Sequence, residues 1–221
     1  EERAERVDAE LSRTWMAARF ERGRTLLEEA TGHTDAQRYD DAAATFQRAR
    51  QHLERALTTA IEDGFALAGE IQSTLSALRD RLDTLRARPL TYAERSRARA
   101  QLAESPELAV VAWEDALGHY RDALDAAWGT DIDFQGETDA LRMQIEWVVA
   151  NLVRERERLA ASLEAEGDDR TPTGADERAR DRYRGAADQL AMAHRLARQY
   201  RAGDADALAA HLDRLRAKAD D

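Results

Sequence analysis

The stretch YDDAAATFQRA, Tyr39 to Ala49, decides the fold. Tyr39, Ala42, Phe46 and Ala49 stand at spacings of three and four, so two rings and two small side chains share one face of a helix. Small residues let a neighbouring helix come close, and the rings fill the space beside them. Such a face needs other helices to pack on and needs no reactive group.

The arrangement recurs. Trp113, Ala116, Tyr120 and Ala123 repeat it, and Tyr183, Ala186, Leu190 and Ala193 give a third version. The shift that carries Tyr39 onto Trp113 also carries Gly32 onto Pro106. It carries Leu67, Ile71, Leu75 and Leu78 onto Leu141, Ile145, Val149 and Leu152. A duplicated helical unit would produce this register, and so would amphipathic helices rich in alanine and aromatics. Read as repeats, the chain divides into 1–89, 90–167 and a C-terminal hairpin at 168–221.

Composition agrees with an all-α chain. Three prolines and eleven glycines in 221 residues leave room for long helices. No segment alternates apolar and polar residues as a half-buried strand does. About eight antiparallel helices are expected, as hairpins or a bundle. The first runs from about Arg3 to Ala30, with Val7, Leu11, Trp15, Ala18, Arg22 and Leu26 as its inner stripe. Thr31 to Thr34 should break it, with Thr34 or Asp35 capping the next helix. That second helix ends at Asp63-Gly64, and the third ends at Arg88-Pro89, where proline removes an amide donor. A short helix follows to Glu104, then one from Pro106 to Trp128. The sixth runs to about Glu166, with the run Arg154 to Arg158 on or near its wet side. The seventh ends near Arg201 and the eighth covers about Asp204 to Lys218. GTDIDFQG (129–136) reads as a loop and GDDRTPTG (167–174) as a linker.

The net charge is −11, from 44 acidic and 33 basic residues. This excess argues against generic nucleic-acid binding and against anionic membranes. No apolar run approaches the ~20 residues of a membrane span. Without cysteine there is no disulfide, thiolate metal site or cysteine nucleophile. Lys218 is the only lysine. Arginine in place of lysine, with abundant Asp, Glu and Ala, resembles the proteins of salt-loving archaea; a GC-rich genome would favour part of the same bias. At ~1 M salt the Debye length is only ~3 Å, and a dense acidic surface repels itself little.

With these residues in view, Tyr39-x2-Ala42-x3-Phe46-x2-Ala49 resembles the second helix of a tetratricopeptide repeat. Units of three long helices are also similar in architecture to the microtubule-interacting-and-trafficking type of bundle. Either resemblance implies a surface that docks other proteins or short helical peptides. Neither transfers a binding residue onto this chain.

Chemical motifs are sparse. The histidines, His33, His52, His119, His194 and His211, form no paired zinc spacing. Asp131, Asp133 and Gly136 touch the pattern of a calcium loop, but Arg142 stands where the bidentate glutamate belongs. No phosphate-binding or nucleophile motif is present. Arg180, Arg184, Arg195 and Arg198 project from one side of the seventh helix and could receive an acidic peptide or phosphate. Trp15, Trp113, Trp128 and Trp147 are expected in the core; two of them exposed beside a groove would mark a partner site instead. The expectation is a non-catalytic, cofactor-free scaffold or adaptor, cytoplasmic, that binds another protein or peptide, with self-association left open. An enzyme or a nucleic-acid-associated protein is the alternative.

Overall fold

The computed structural model describes residues 2–128, 135–170 and 176–220, with side chains described for 7–127, 137–169 and 177–220. Among these residues the chain forms seven helices and no strand: α1 (Glu2–Asp35), α2 (Tyr39–Glu62), α3 (Ala68–Gln101), α4 (Pro106–Trp128), α5 (Gln135–Arg170), α6 (Asp176–Tyr200) and α7 (Ala205–Asp220). Residues 129–134 of the expected loop and 171–174 of the expected linker, with Asp131 and Asp133, lie outside the described residues.

The recurring pattern is core in every copy. Tyr39, Ala42, Phe46 and Ala49 are buried, as are Trp113, Ala116, Tyr120 and Ala123, and Tyr183, Ala186, Leu190 and Ala193. Each alanine leaves room for a neighbouring backbone, and each ring fills the gap beside it.

Two breaks expected from the sequence are absent. Helix α1 continues through Thr31 to Thr34: both threonine hydroxyls are accommodated by bonds to carbonyls one turn earlier, Thr31 to Leu27 and Thr34 to Ala30, and packing carries the helix past them. Neither Thr34 nor Asp35 caps α2. The chain turns instead at Gln37, in the left-handed region at φ 58°, and Arg38 precedes α2 without a side-chain cap. Helix α3 likewise continues past Pro89, so the expected third and fourth helices are one element. Proline there forfeits the amide bond to the Leu85 carbonyl and crowds that oxygen with its ring, a local cost that the rest of the long helix outweighs. The expected ends that do occur have visible causes. Gly64 takes φ 68° after α2, the Ser105 hydroxyl accepts from the Leu108 amide before α4, and Asp204 accepts from the Ala207 amide before α7.

The helices sort into two compact units. One comprises Glu1–Leu90 with Asp122–Asp139; the other comprises Thr91–Arg121 with Ala140–Asp221. The first unit is centred on the α1–α2 hairpin. Met16, Phe20, Leu26, Leu27 and Ala30 of α1 meet Phe46, Leu53 and Ala56 of α2, with Ile71, Leu78 and Leu85 of α3 completing the core. Gly23 makes the close approach feasible: a Cβ there would lie 2.7 Å from Leu53 Cγ. The second unit holds the C-terminal part of α3, most of α4 and α5, and the α6–α7 hairpin. Arg156 is the one buried charge among its described residues, 3% exposed, reaching Glu114 on α4 and Gln189 on α6. The sequence placed this arginine with the wet side of its helix; the carboxylate and amide facing it let the guanidinium stay inside.

Candidate functional site

Of the inner stripe that the sequence of α1 advertises, Leu26 is buried, whereas Val7, Leu11, Trp15, Ala18 and Arg22 are exposed. Met16, Phe20, Gly23 and Leu27 face the core, whereas Val7, Leu11 and Trp15 are 49%, 63% and 48% exposed. Both sets repeat every three to four residues, so either would make an apolar helix face. The first half of α1 therefore carries a second apolar stripe, one that α2 does not cover. It borders a groove of about 680 Å³ lined by Leu11, Ser12, Thr14, Trp15 and Ala18 of α1 and by Thr59, Glu62 and Asp63 at the end of α2. Large apolar residues standing in sequence on one exposed face mark contact sites more often than scattered single ones do.

Charge varies along this face. Glu62 and Asp63 make one end acidic. Toward the other end the Arg19 guanidinium lies 3.7 Å above the Trp15 ring, a stacked cation–π contact that holds the indole in place. Farther along, burial lowers the pKa of His52, and the charges of Arg19, Arg22 and Arg55 lower it further.

A second groove, about 570 Å³, lies between α2 and α3 in the same unit. Leu57, Leu75, Leu78 and Leu82 form its floor, and Arg50, Glu54, Arg79, Asp83 and Arg86 its rim. Leu78 and Leu82 are already core, and the Arg50–Glu54 ion pair, 2.6 Å, stands on the rim. The leucines of this groove are buried or half-buried, whereas Leu11 and Trp15 on the face of α1 are exposed.

The tryptophans divide. Trp113 is buried, but Trp15 and Trp147 are not, and the Trp128 side chain lies outside the described residues. Trp147, 43% exposed, meets the Trp113 ring edge-on at 5.4 Å and takes the Arg97 guanidinium over its face. The expectation that these tryptophans fill the core therefore fails for Trp15 and Trp147. An indole is large enough to anchor by one edge while the other stays wet.

The four arginines singled out on α6 stand off its buried Tyr183–Leu190–Ala197 side. Arg184, Arg195 and Arg198 are exposed, and Arg180 is half-buried. Arg184 reaches Asp181 at 3.4 Å. Elsewhere in the second unit, the single lysine ties α7 to α5. Lys218 Nζ lies 2.9 Å from both Glu164 Oε1 and Asp168 Oδ1, His211 Nε2 lies 2.8 Å from Glu164 Oε2, and the Tyr183 hydroxyl donates to Asp168 at 2.8 Å. Burial pushes the Glu164 carboxyl up, but bonds from Lys218 and His211 outweigh it and hold the group below the usual range. Bonds from Lys218 and Tyr183 depress Asp168, and the two carboxylates raise Lys218.

Asp40, Asp41, Asp122 and Asp125 line a further open pocket with Gln37 to Tyr39. Among the described residues, no group of three or more His, Cys, Asp and Glu side chains converges to hold a metal ion. No described helix is long and apolar enough to cross a membrane. Comparison with protein families, curated proteins and solved structures finds no match for this chain.

Proposed function

We propose that the chain is a non-catalytic helical adaptor that docks an amphipathic helical segment of another protein along the outer face of α1. The observation that carries this reading is the exposed stripe Val7, Leu11 and Trp15, which runs two turns, borders a groove at Leu11 and Trp15, and is left uncovered by the core. Its spacing matches a partner helix with apolar residues at i, i+3 or i+4, and i+7. Glu62 and Asp63 favour a partner with a basic residue at that end. The Arg19 stack adds rigidity to the Trp15 anchor, and a pre-set aromatic loses little freedom on binding.

The buried copies of the aromatic–alanine pattern support a helical-repeat scaffold of tetratricopeptide-like or three-helix type beneath this surface. The acidic, lysine-poor composition supports adaptation to high salt. That part is checked by thermal melts in rising KCl, where the midpoint climbs toward molar salt if the reading holds and stays flat if it does not.

A display selection of amphipathic helical peptides against the chain tests the docking surface. Enriched peptides should carry the i, i+3/i+4, i+7 apolar pattern with a basic end and should lose binding to Leu11→Glu and Trp15→Ala. A selection that enriches nothing, or binders indifferent to both substitutions, removes the proposal.

A further inference from the structure

Arg19 and Arg22 on α1 and His52 and Arg55 on α2 stand together across the hairpin. The Gly23–Leu53 approach brings the two helices close at this level. The cluster is unusual in so acidic a chain because no carboxylate faces it. On a helix the neighbours of a side chain are the residues three and four positions away. For Arg19 these are Trp15, Met16, Arg22 and Gly23; for Arg22 they are Ala18, Arg19, Thr25 and Leu26. For His52 they are Arg48, Ala49, Arg55 and Ala56; for Arg55 they are Gln51, His52, Thr58 and Thr59. Elsewhere arginines routinely meet an acid one turn away, as Arg24 meets Glu21, Arg50 meets Glu54 and Arg158 meets Glu155.

Among the described residues, none of the four side chains makes a hydrogen bond or ion pair. Arg19 Nε and His52 Nδ1 are moreover buried without a hydrogen-bond partner. An unmade bond at a buried polar atom costs about 1–3 kcal/mol, and such groups are rare without a reason. Arginine side chains set side by side repel unless an anion joins them.

We propose that Arg19, Arg22, His52 and Arg55 form a binding site for an oxyanion, a phosphate group or its equivalent. Guanidinium forks match the oxygens of such a group, and the two buried nitrogens supply further donor positions near the hairpin surface. Trp15, stacked on Arg19, closes one side. The site lies beside the apolar stripe but does not depend on it, so loss of peptide docking leaves it standing. The oxyanion has two sources, free inorganic phosphate or a phosphorylated side chain of a partner.

The test is a titration of the whole chain at constant ionic strength, read by NMR at the His52 imidazole. One arm uses inorganic phosphate and the other N-acetyl-phosphoserine amide. An anion among the arginines cancels the repulsion that disfavours the imidazolium, so the His52 midpoint should rise with either saturating ligand. Arg22→Gln and Arg55→Gln, both exposed, should each weaken binding about tenfold or more, the loss of a charge-assisted bond. Arg24→Gln removes the same charge from α1 outside the cluster and should leave affinity unchanged. Tighter binding of the phosphoserine amide assigns the site to a modified partner, and tighter binding of inorganic phosphate assigns it to the free ion. A His52 signal that neither ligand moves overturns the proposal, as does equal weakening by Arg24→Gln.

Discussion

Arg156 on α5 holds the Glu114 carboxylate on α4 from a position almost sealed from water. The two partners are unequal. The arginine side chain is 4% exposed and the glutamate side chain 50%. Removing either side therefore has different consequences. Glu114→Gln keeps an acceptor but leaves the buried guanidinium without its counter-charge, so it should cost about 2 kcal/mol. Arg156→Ala leaves a void and strands Gln189, and should cost about 3 kcal/mol or more. Arg156→Met fills the space with apolar atoms and should recover much of that loss. Urea unfolding of the three variants checks the order.

Two helical glycines should answer alanine with opposite signs. At Gly118, on the exposed side of α4, nothing lies within 4 Å of a new Cβ, so Gly118→Ala should stabilise by up to about 1 kcal/mol through helix propensity. At Gly23 the new Cβ would meet Leu53 Cγ at 2.7 Å inside the packed hairpin. Overpacking there should outweigh propensity and destabilise by about 1–3 kcal/mol. Paired thermal melts decide it.

Phe46 and Trp15 test which aromatics are structural. Phe46→Ala empties a fully enclosed site and should cost about 3–5 kcal/mol. Trp15→Ala removes a ring already half in water and should cost less than about 1 kcal/mol. A large loss at Trp15 in denaturant titration would assign it to the core after all.

The Lys218 network makes the docking of α7 depend on pH at both extremes. Glu164 and Asp168 have folded pKa values depressed below 4.5 and 3.8, so their contribution is complete above those values. It is lost as pH falls through the depressed ones. Lys218 is raised above 10.5, so its contribution is complete below that value and fades as pH climbs through the raised one. Hydrogen exchange of the α7 amides should be slowest between these limits and quicken outside them. Lys218→Met should flatten the alkaline limb.

Sign and window differ for His52. Its folded pKa lies below 6.5, so the unfolded chain takes up the proton first and stability falls as pH drops below 6.5. His52→Gln should remove that slope from melting midpoints measured between pH 7 and 5.

Much of the architecture was legible because helices announce themselves locally. Tyr39, Trp113 and Tyr183 with their alanines showed a period of three to four, and all are buried. The turn at Gly64 and the starts at Pro106 and after Asp204 were readable because one residue's backbone freedom or capping oxygen decides them. What misled were breakers weighed alone. Thr31, Thr34 and Pro89 each weaken a helix by a local amount, and packing along a thirty-four-residue element overrides it.

The sequence by itself determined an all-helical chain with an aromatic–alanine core face and an acidic surface, since periodicity and composition are properties of neighbouring residues. Tertiary structure alone decided which of two apolar stripes on α1 goes inside, that Arg156 is buried, and that Arg19, Arg22, His52 and Arg55 meet without a carboxylate between them. Those outcomes depend on which helix lies opposite, and a partner thirty residues away leaves no mark on local spacing.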